Sequence, residues 1–237
     1  MFCSESCFSS AFERYHRYEC SIMSQLLKSG SVHMCLRIFF IALSTFNDSI
    51  EELKNFIDEN KTTQMTVFDI DFRSPAEENN KKHLLALLSL TKSSKAFPLQ
   101  LHQEVLKSHK TLNEMWKNHQ EFIKSFLLKN CQISDFNFHG IFSGSSQKLI
   151  NQNPAMIFSS MQQSVGSGSM PFSSLINHSC NNNVVRVCVE GKIAFVVCRP
   201  ISKGSQLFDC YKYVFNFSFC FIIYFIFKST LHEEQET

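Results

Sequence analysis

Six of the seven glycines lie between Gly140 and Gly204, and only Gly30 precedes them. Glycine weakens helices through its backbone freedom, so the long first part of the chain is nearly free of helix-breaking residues, while the last third carries the punctuation of strands and turns. The expected class is α+β, with a helical layer before Gly140 and strands confined largely to residues after it. Asn47-Asp48-Ser49 followed by Glu51-Glu52 supplies an N-cap with a capping box, and Ile50, Leu53, Phe56 and Ile57 recur at helical spacing to about Glu59. A second helix is expected near Glu77 to Lys92, with Leu84, Leu85, Leu87 and Leu88 as its buried stripe. A third, longer one follows Pro98 and carries Leu101, Val105, Leu112, Trp116 and Phe122 inward as far as Leu128. On that helix Trp116, His102, His109 and His119 read as packing and surface residues rather than ligands.

Beyond Gly140 the pattern changes to period two. Val184 to Val189 and Ile193 to Arg199 flank Glu190-Gly191, which predicts a β-hairpin. The hairpin separates two polar clusters, Asn177-His178-Ser179-Cys180 and Gly204-Ser205-Gln206-Leu207-Phe208-Asp209-Cys210-Tyr211. Each cluster alone has an ordinary reading, in which Asn177 and His178 cap a turn and Tyr211 is a half-buried strand aromatic. Their joint occurrence, with a Lys203-Gly204 turn before the second one, argues for a shared site. Near the start of the chain, Cys3, Cys7, His16 and Cys20 stand at C-x3-C-x8-H-x3-C spacing, which suits metal ligation and puts His16 and Cys20 on one helix face. The alternative is four unrelated residues in a reduced helical segment.

Composition narrows the function classes. A net charge of +2 gives no electrostatic bias toward polyanions, so direct nucleic acid binding is not expected. The ten cysteines are irregularly spaced in a chain without a signal peptide, which favours reduced thiols and metal ligands over a disulfide framework and places the protein in the cytosol or nucleus. The apolar run from Val214 to Phe227 falls short of the roughly 20 residues that a membrane-spanning helix needs, so no membrane partner is expected. It reads as a hydrophobic strand, a tail anchor or a misread end of the gene, and is an aggregation hazard in isolation.

The two polar clusters and their spacing resemble the C-terminal core of SET-domain protein lysine methyltransferases. The N-terminal thiols and His16, flanked by Tyr15 and Tyr18, resemble the second half of a MYND zinc finger. Together they point to the family of SET and MYND domain-containing lysine methyltransferases, nearest its fourth branch in an insect-like form. Val32 to Arg37 is similar to the opening of that family's helical insert, and Phe136 to Ile141 to a segment that contributes a cofactor-contacting asparagine. The implied organisation is a half finger over residues 1–21, a helical insert over 22–135, a SET core over 136–213 and a hydrophobic tail over 214–237.

The resemblance implies an S-adenosylmethionine-dependent protein-lysine N-methyltransferase. Tyr211 is the implied catalytic residue, Asn137, Asn177 and His178 bind the cofactor, and Cys3, Cys7, His16 and Cys20 bind zinc, with Cys3 and Cys7 in one half-site and His16 and Cys20 in the other. The partner is then a protein substrate lysine. A noncatalytic protein that binds partner peptides through the finger and insert is the second reading. The family's glycine-rich cofactor loop and first four finger ligands have no counterpart in this sequence. Asn182 stands where the N-H-S-C-x-P-N turn has proline, Lys212 replaces a glycine, and the post-SET cysteines are missing. The expectation is therefore weak zinc binding by the two half-sites and weak methylation by this chain alone, with Cys180 a small buried thiol.

Overall fold

A polar cap opens the first helix. Ser4 accepts a hydrogen bond from the Cys7 amide at 3.1 Å and starts α1 (Glu5–Ala11). The chain continues through a π-helical turn at Phe12–His16, α2 (Arg17–Glu19), a 3-10 turn at Cys20–Ile22 and α3 (Met23–Leu26). The computed structural model describes residues 2, 4–71, 73–74, 76–142, 164–189 and 192–211. Cys3, the Glu190-Gly191 turn and the 214–237 tail lie outside the described residues. The chain divides into two units, Met1–Phe138 with Ser169–Ser174, and His139–Gly168 with Leu175–Thr237.

Unit 1 is helical. Gly30 reverses the chain at φ +57, a conformation that suits glycine, and leads into α4 (Ser31–Thr45). Cys35, Leu36, Ile38, Phe39, Phe40, Ala42 and Leu43 of α4 are all buried, which is how a helix with apolar residues on most of its faces must sit. Around it pack α5 (Ile50–Glu59), α6 (Ala76–Leu88), α7 (Gln100–Lys107) and α8 (Lys110–Asn137). The turn before α5 puts Asn47 and Asp48 at φ 51 and 65, in the left-handed region that Asn and Asp tolerate, and Ser49 caps the helix by accepting from the Glu52 amide at 3.2 Å. Leu84, Leu85, Leu87 and Leu88 are buried as expected.

The third expected helix breaks between α7 and α8, and α8 kinks again at His119, which has φ −131. The break falls at Ser108-His109, where His109 takes an extended conformation and its Nδ1 accepts from the Leu112 amide at 3.4 Å to cap α8. Neither residue is a breaker, so an unbroken apolar period hid the boundary. α8 also runs to Asn137, well past Leu128, and Leu101 is 42% exposed rather than inward. His102 is a buried residue, 2% exposed.

One buried charge is built into unit 1. Glu19 is fully buried, yet its carboxylate accepts from Arg37 Nε and Nη2, both at 2.7 Å, and lies 3.1 Å from His33 Nε2. Burial pushes its pKa up, but the hydrogen bonds with His33 and Arg37 outweigh that and leave the carboxyl below its ordinary value. The Arg37 guanidinium is in turn stacked 4.5 Å over the Tyr15 ring.

Strands begin at Phe138. β1 (Phe138–Phe142) pairs with β2 (Ser164–Ser169). β3 (Asn177–His178) is only two residues long. The expected hairpin is present as β4 (Val184–Val189) and β5 (Lys192–Val197), antiparallel from Val184 opposite Val197 to Val189 opposite Lys192. The last strand among the described residues is β6 (Phe208–Asp209), preceded by the Lys203-Gly204 turn with Gly204 at φ +85. Helices before Gly140 and strands after it make the mixed class that the glycine distribution implies. Among the described residues no helix is long and apolar enough to cross a membrane.

Candidate active site

The site in unit 2 is made by a short parallel pairing. β3 and β6 align Asn177 with Phe208 and His178 with Asp209, so the two polar clusters that the hairpin separates in sequence become neighbours in space. The Ser179 amide donates to Asp209 O at 3.0 Å and extends the ladder. Asn183, 8% exposed, fastens the same two segments with its side chain. Its Nδ2 donates to Gln206 O at 2.9 Å, its Oδ1 accepts from the Phe208 amide at 2.8 Å, and its own amide donates to Phe208 O at 3.1 Å. A buried side-chain amide that satisfies backbone groups in this way replaces a length of strand.

Asn182, in proline's place, is not a loose point. Its Nδ2 donates to Val184 O at 2.7 Å, so a hydrogen bond closes the turn that proline would preset. Arg199 tightens the same turn by donating to Asn181 Oδ1 at 2.7 Å.

Tyr211 sits directly against His178. Its amide donates to His178 Nδ1 at 2.9 Å, and the two rings lie 5.2 Å apart at 44°. Its hydroxyl donates to Ile176 O at 2.5 Å. Burial and then the charge of Asp209 raise the phenol pKa, so the hydroxyl keeps its proton at neutral pH. Because that proton is given to Ile176, the phenolic oxygen faces any further partner as an acceptor. The Tyr211 side of the site is about half exposed, and Asn177 is exposed.

His178 cannot act as a base toward Cys180. The Cys180 sulfur lies 3.4 Å from His178 Nε2, but Nδ1 is occupied as an acceptor, so the proton of the neutral ring is on Nε2. Cys180 is exposed rather than buried, contrary to expectation, because its turn points it outward from the β3–β6 ladder.

Three polar residues to which the sequence reading assigned no role lie in or beside this ladder. Asp209 is 5% exposed, and burial raises its pKa against the opposing pull of Arg186. Arg186 donates to His139 Nδ1. Burial, followed by the Arg186 charge, holds His139 down to about 4, so it stays neutral. Asp209 and His139 lie inside segments quoted as motifs and Arg186 in the hairpin strand, but only the fold brings the three together.

The other expected site residues lie in unit 1. Asn137 ends α8, buried, with Nδ2 donating to Thr91 O and Ile133 O, both at 2.7 Å. Cys7 and Cys20 are exposed free thiols, and His16 lies edge-on to Phe2 and Phe8, with ring centroids at 5.1 and 6.2 Å. Among the described residues one group of three metal-ligating side chains closes up, Cys35, His102 and Cys131, and none of the expected ligands belongs to it. The zinc finger is thus not shown.

A family model of the SET domain matches residues 54–212. The chain belongs to the SET-domain family. No significant match is found among curated proteins or among solved structures. The matched stretch includes the last part of α5, all of α6 to α8 and the whole β3–β6 ladder. SET domains are generally protein lysine methyltransferases that act on protein substrates and use S-adenosylmethionine.

Proposed function

We propose that this chain is an S-adenosylmethionine-dependent protein-lysine N-methyltransferase of the SET and MYND type. The observation that carries the reading is the convergence of Asn177, His178 and Tyr211 on one ladder inside a matched SET domain. The fit to the cofactor rests on the donor set, because the phenolic oxygen of Tyr211 and the carbonyl of Ile176 are acceptors suited to the positively polarised region around a sulfonium methyl. Asn177 and His178 hold the cofactor beside them. Bound S-adenosylmethionine supplies an already activated methyl group, so no strong protein nucleophile is required.

What the chain must do is present an uncharged lysine amine in line with that methyl. The Tyr211 oxygen accepts an amine N–H and so turns the nitrogen lone pair toward the carbon. Its own proton is anchored on Ile176, which fixes the oxygen's position before substrate arrives. The MYND type rests on the Cys3, Cys7, His16 and Cys20 spacing, and the irregular spacing of the ten cysteines fits a reducing compartment, cytosol or nucleus.

The test is a calorimetric titration of the full chain with S-adenosylmethionine. Binding is expected, weakened at least about tenfold by Asn177→Ala or His178→Ala. Tyr211→Phe should lower turnover on a lysine peptide by more than it lowers cofactor affinity. A folded chain that binds no S-adenosylmethionine would overturn the reading.

A further inference from the structure

The sulfur and nitrogen atoms at the centre of unit 1 lie where a metal ion would hold them. Cys35 on α4, His102 on α7 and Cys131 on α8 are 1%, 2% and 5% exposed. Cys131 Sγ is 3.7 Å from Cys35 Sγ and 3.5 Å from His102 Nε2, and all three ligand atoms lie within 4.8 Å of one another. With Zn–S bonds of about 2.3 Å and Zn–N bonds of about 2.0–2.1 Å, tetrahedral angles separate two sulfurs by about 3.8 Å and a sulfur from a nitrogen by about 3.6 Å. Two edges of the cluster therefore already have the lengths of a coordinated set.

We propose that Cys35, His102 and Cys131 form a Cys2His site for a divalent zinc ion that staples α4, α7 and α8 together. Two thiolates and a neutral imidazole around a 2+ ion leave no net charge, which is what an enclosed apolar site requires. Binding displaces the protons of the two thiols to solvent, and no electron changes hands. The imidazole gains most. Among the described residues its one polar contact is the weak one from Nε2 to the Cys131 sulfur, which coordination at Nε2 would replace with a metal bond, while the neutral ring's proton sits on Nδ1, a buried atom without a partner there. The Ser134 hydroxyl donates to Cys131 O at 2.7 Å and so fixes the backbone of the residue that carries the second sulfur.

The site is independent of the methyltransferase reading and of the N-terminal cysteines, so the test removes the latter first. A full-length Cys3→Ser/Cys7→Ser/Cys20→Ser variant, purified under reducing conditions, should still hold one zinc per chain in competition with a chromogenic chelator. Cobalt loading of the same variant should give thiolate-to-metal charge-transfer absorption. Adding Cys131→Ser should abolish both signals, and His102→Gln, which keeps the thiols, should weaken zinc by more than about tenfold. Because Cys131→Ser risks unfolding the core, the deciding measurement is on the triple variant itself. If that protein keeps native Trp116 fluorescence and binds neither zinc nor cobalt, the proposal is wrong. Recovery of a Cys35–Cys131 cross-linked peptide from native protein would likewise overturn it, in favour of a redox pair.

Discussion

The two units are held together by different means. In unit 1 the largest fully buried side chains, among them Phe39, Phe40, Leu43, Leu106, Trp116 and Leu127, form one apolar cluster. In unit 2 the buried apolar residues among those described are Ile176, Val184 and Cys198, matched by the buried polar residues His139, Asn183 and Asp209. Apolar burial is non-directional and spread over many contacts, whereas a polar lock depends on a few aligned bonds. A region built the second way gains geometric definition at the cost of robustness, which is what a site that must aim a phenolic oxygen needs.

The largest expected effect strikes the packed unit. Leu127→Ala leaves a cavity where the side chain is fully buried and should cost about 2–5 kcal/mol, read by denaturant unfolding with Trp116 as the probe. A cost below about 1 kcal/mol would show that the cluster is loosely packed and would erase the contrast with unit 2.

Acid should separate the units next. The folded pKa of His139 is depressed to about 4, below its ordinary value near 6.5, so its contribution is present above about 6.5 and is lost as pH falls toward 4, up to about 3 kcal/mol in all. Glu19 has a folded pKa below the ordinary carboxyl range, so its contribution is lost only as pH falls through that lower value. Hydrogen exchange of the β4 and β6 amides should therefore quicken in milder acid than that which shifts Trp116 fluorescence. The reverse order would mean that the polar cluster is not what holds unit 2.

Asn183→Ala comes third. It strands Gln206 O and the Phe208 amide, and should cost about 2 kcal/mol, seen as faster exchange at β6 and weaker S-adenosylmethionine binding. Unchanged exchange would show that the ladder stands without its side-chain lock.

How much the sequence reveals follows the same division. The helices of unit 1 and the β4–β5 hairpin are legible because apolar period and turn chemistry are local, and Ser49 caps its helix where expected. The Ser108-His109 break is not, since neither residue interrupts an apolar period. Asn177, His178 and Tyr211 can be picked out as two motifs, but their meeting depends on a parallel pairing that no short-range pattern encodes. Asn183, Arg186 and His139 act through partners far along the chain. His102 looks like a packing or surface residue in sequence for the same reason, because it is 29 residues from Cys131, which is itself 96 residues from Cys35, with no metal-ligand spacing between them.

The smallest expected effect concerns the exposed thiol of the site. Cys180 lies 3.4 Å from His178 Nε2, the contact that a thiol–imidazole nucleophile would also show. The difference is the other ring nitrogen. Nδ1 accepts the Tyr211 amide, which puts the neutral ring's proton on Nε2 and leaves it no lone pair with which to take the thiol's proton. Cys180→Ala should therefore change turnover by less than about twofold, while His178→Ala, which removes the acceptor for the Tyr211 amide, should displace the tyrosine and lower turnover much further. A loss with Cys180→Ala as large as that with Tyr211→Phe would mean that the sulfur takes part in the chemistry, and that the polar ladder serves to position Cys180 rather than the tyrosine.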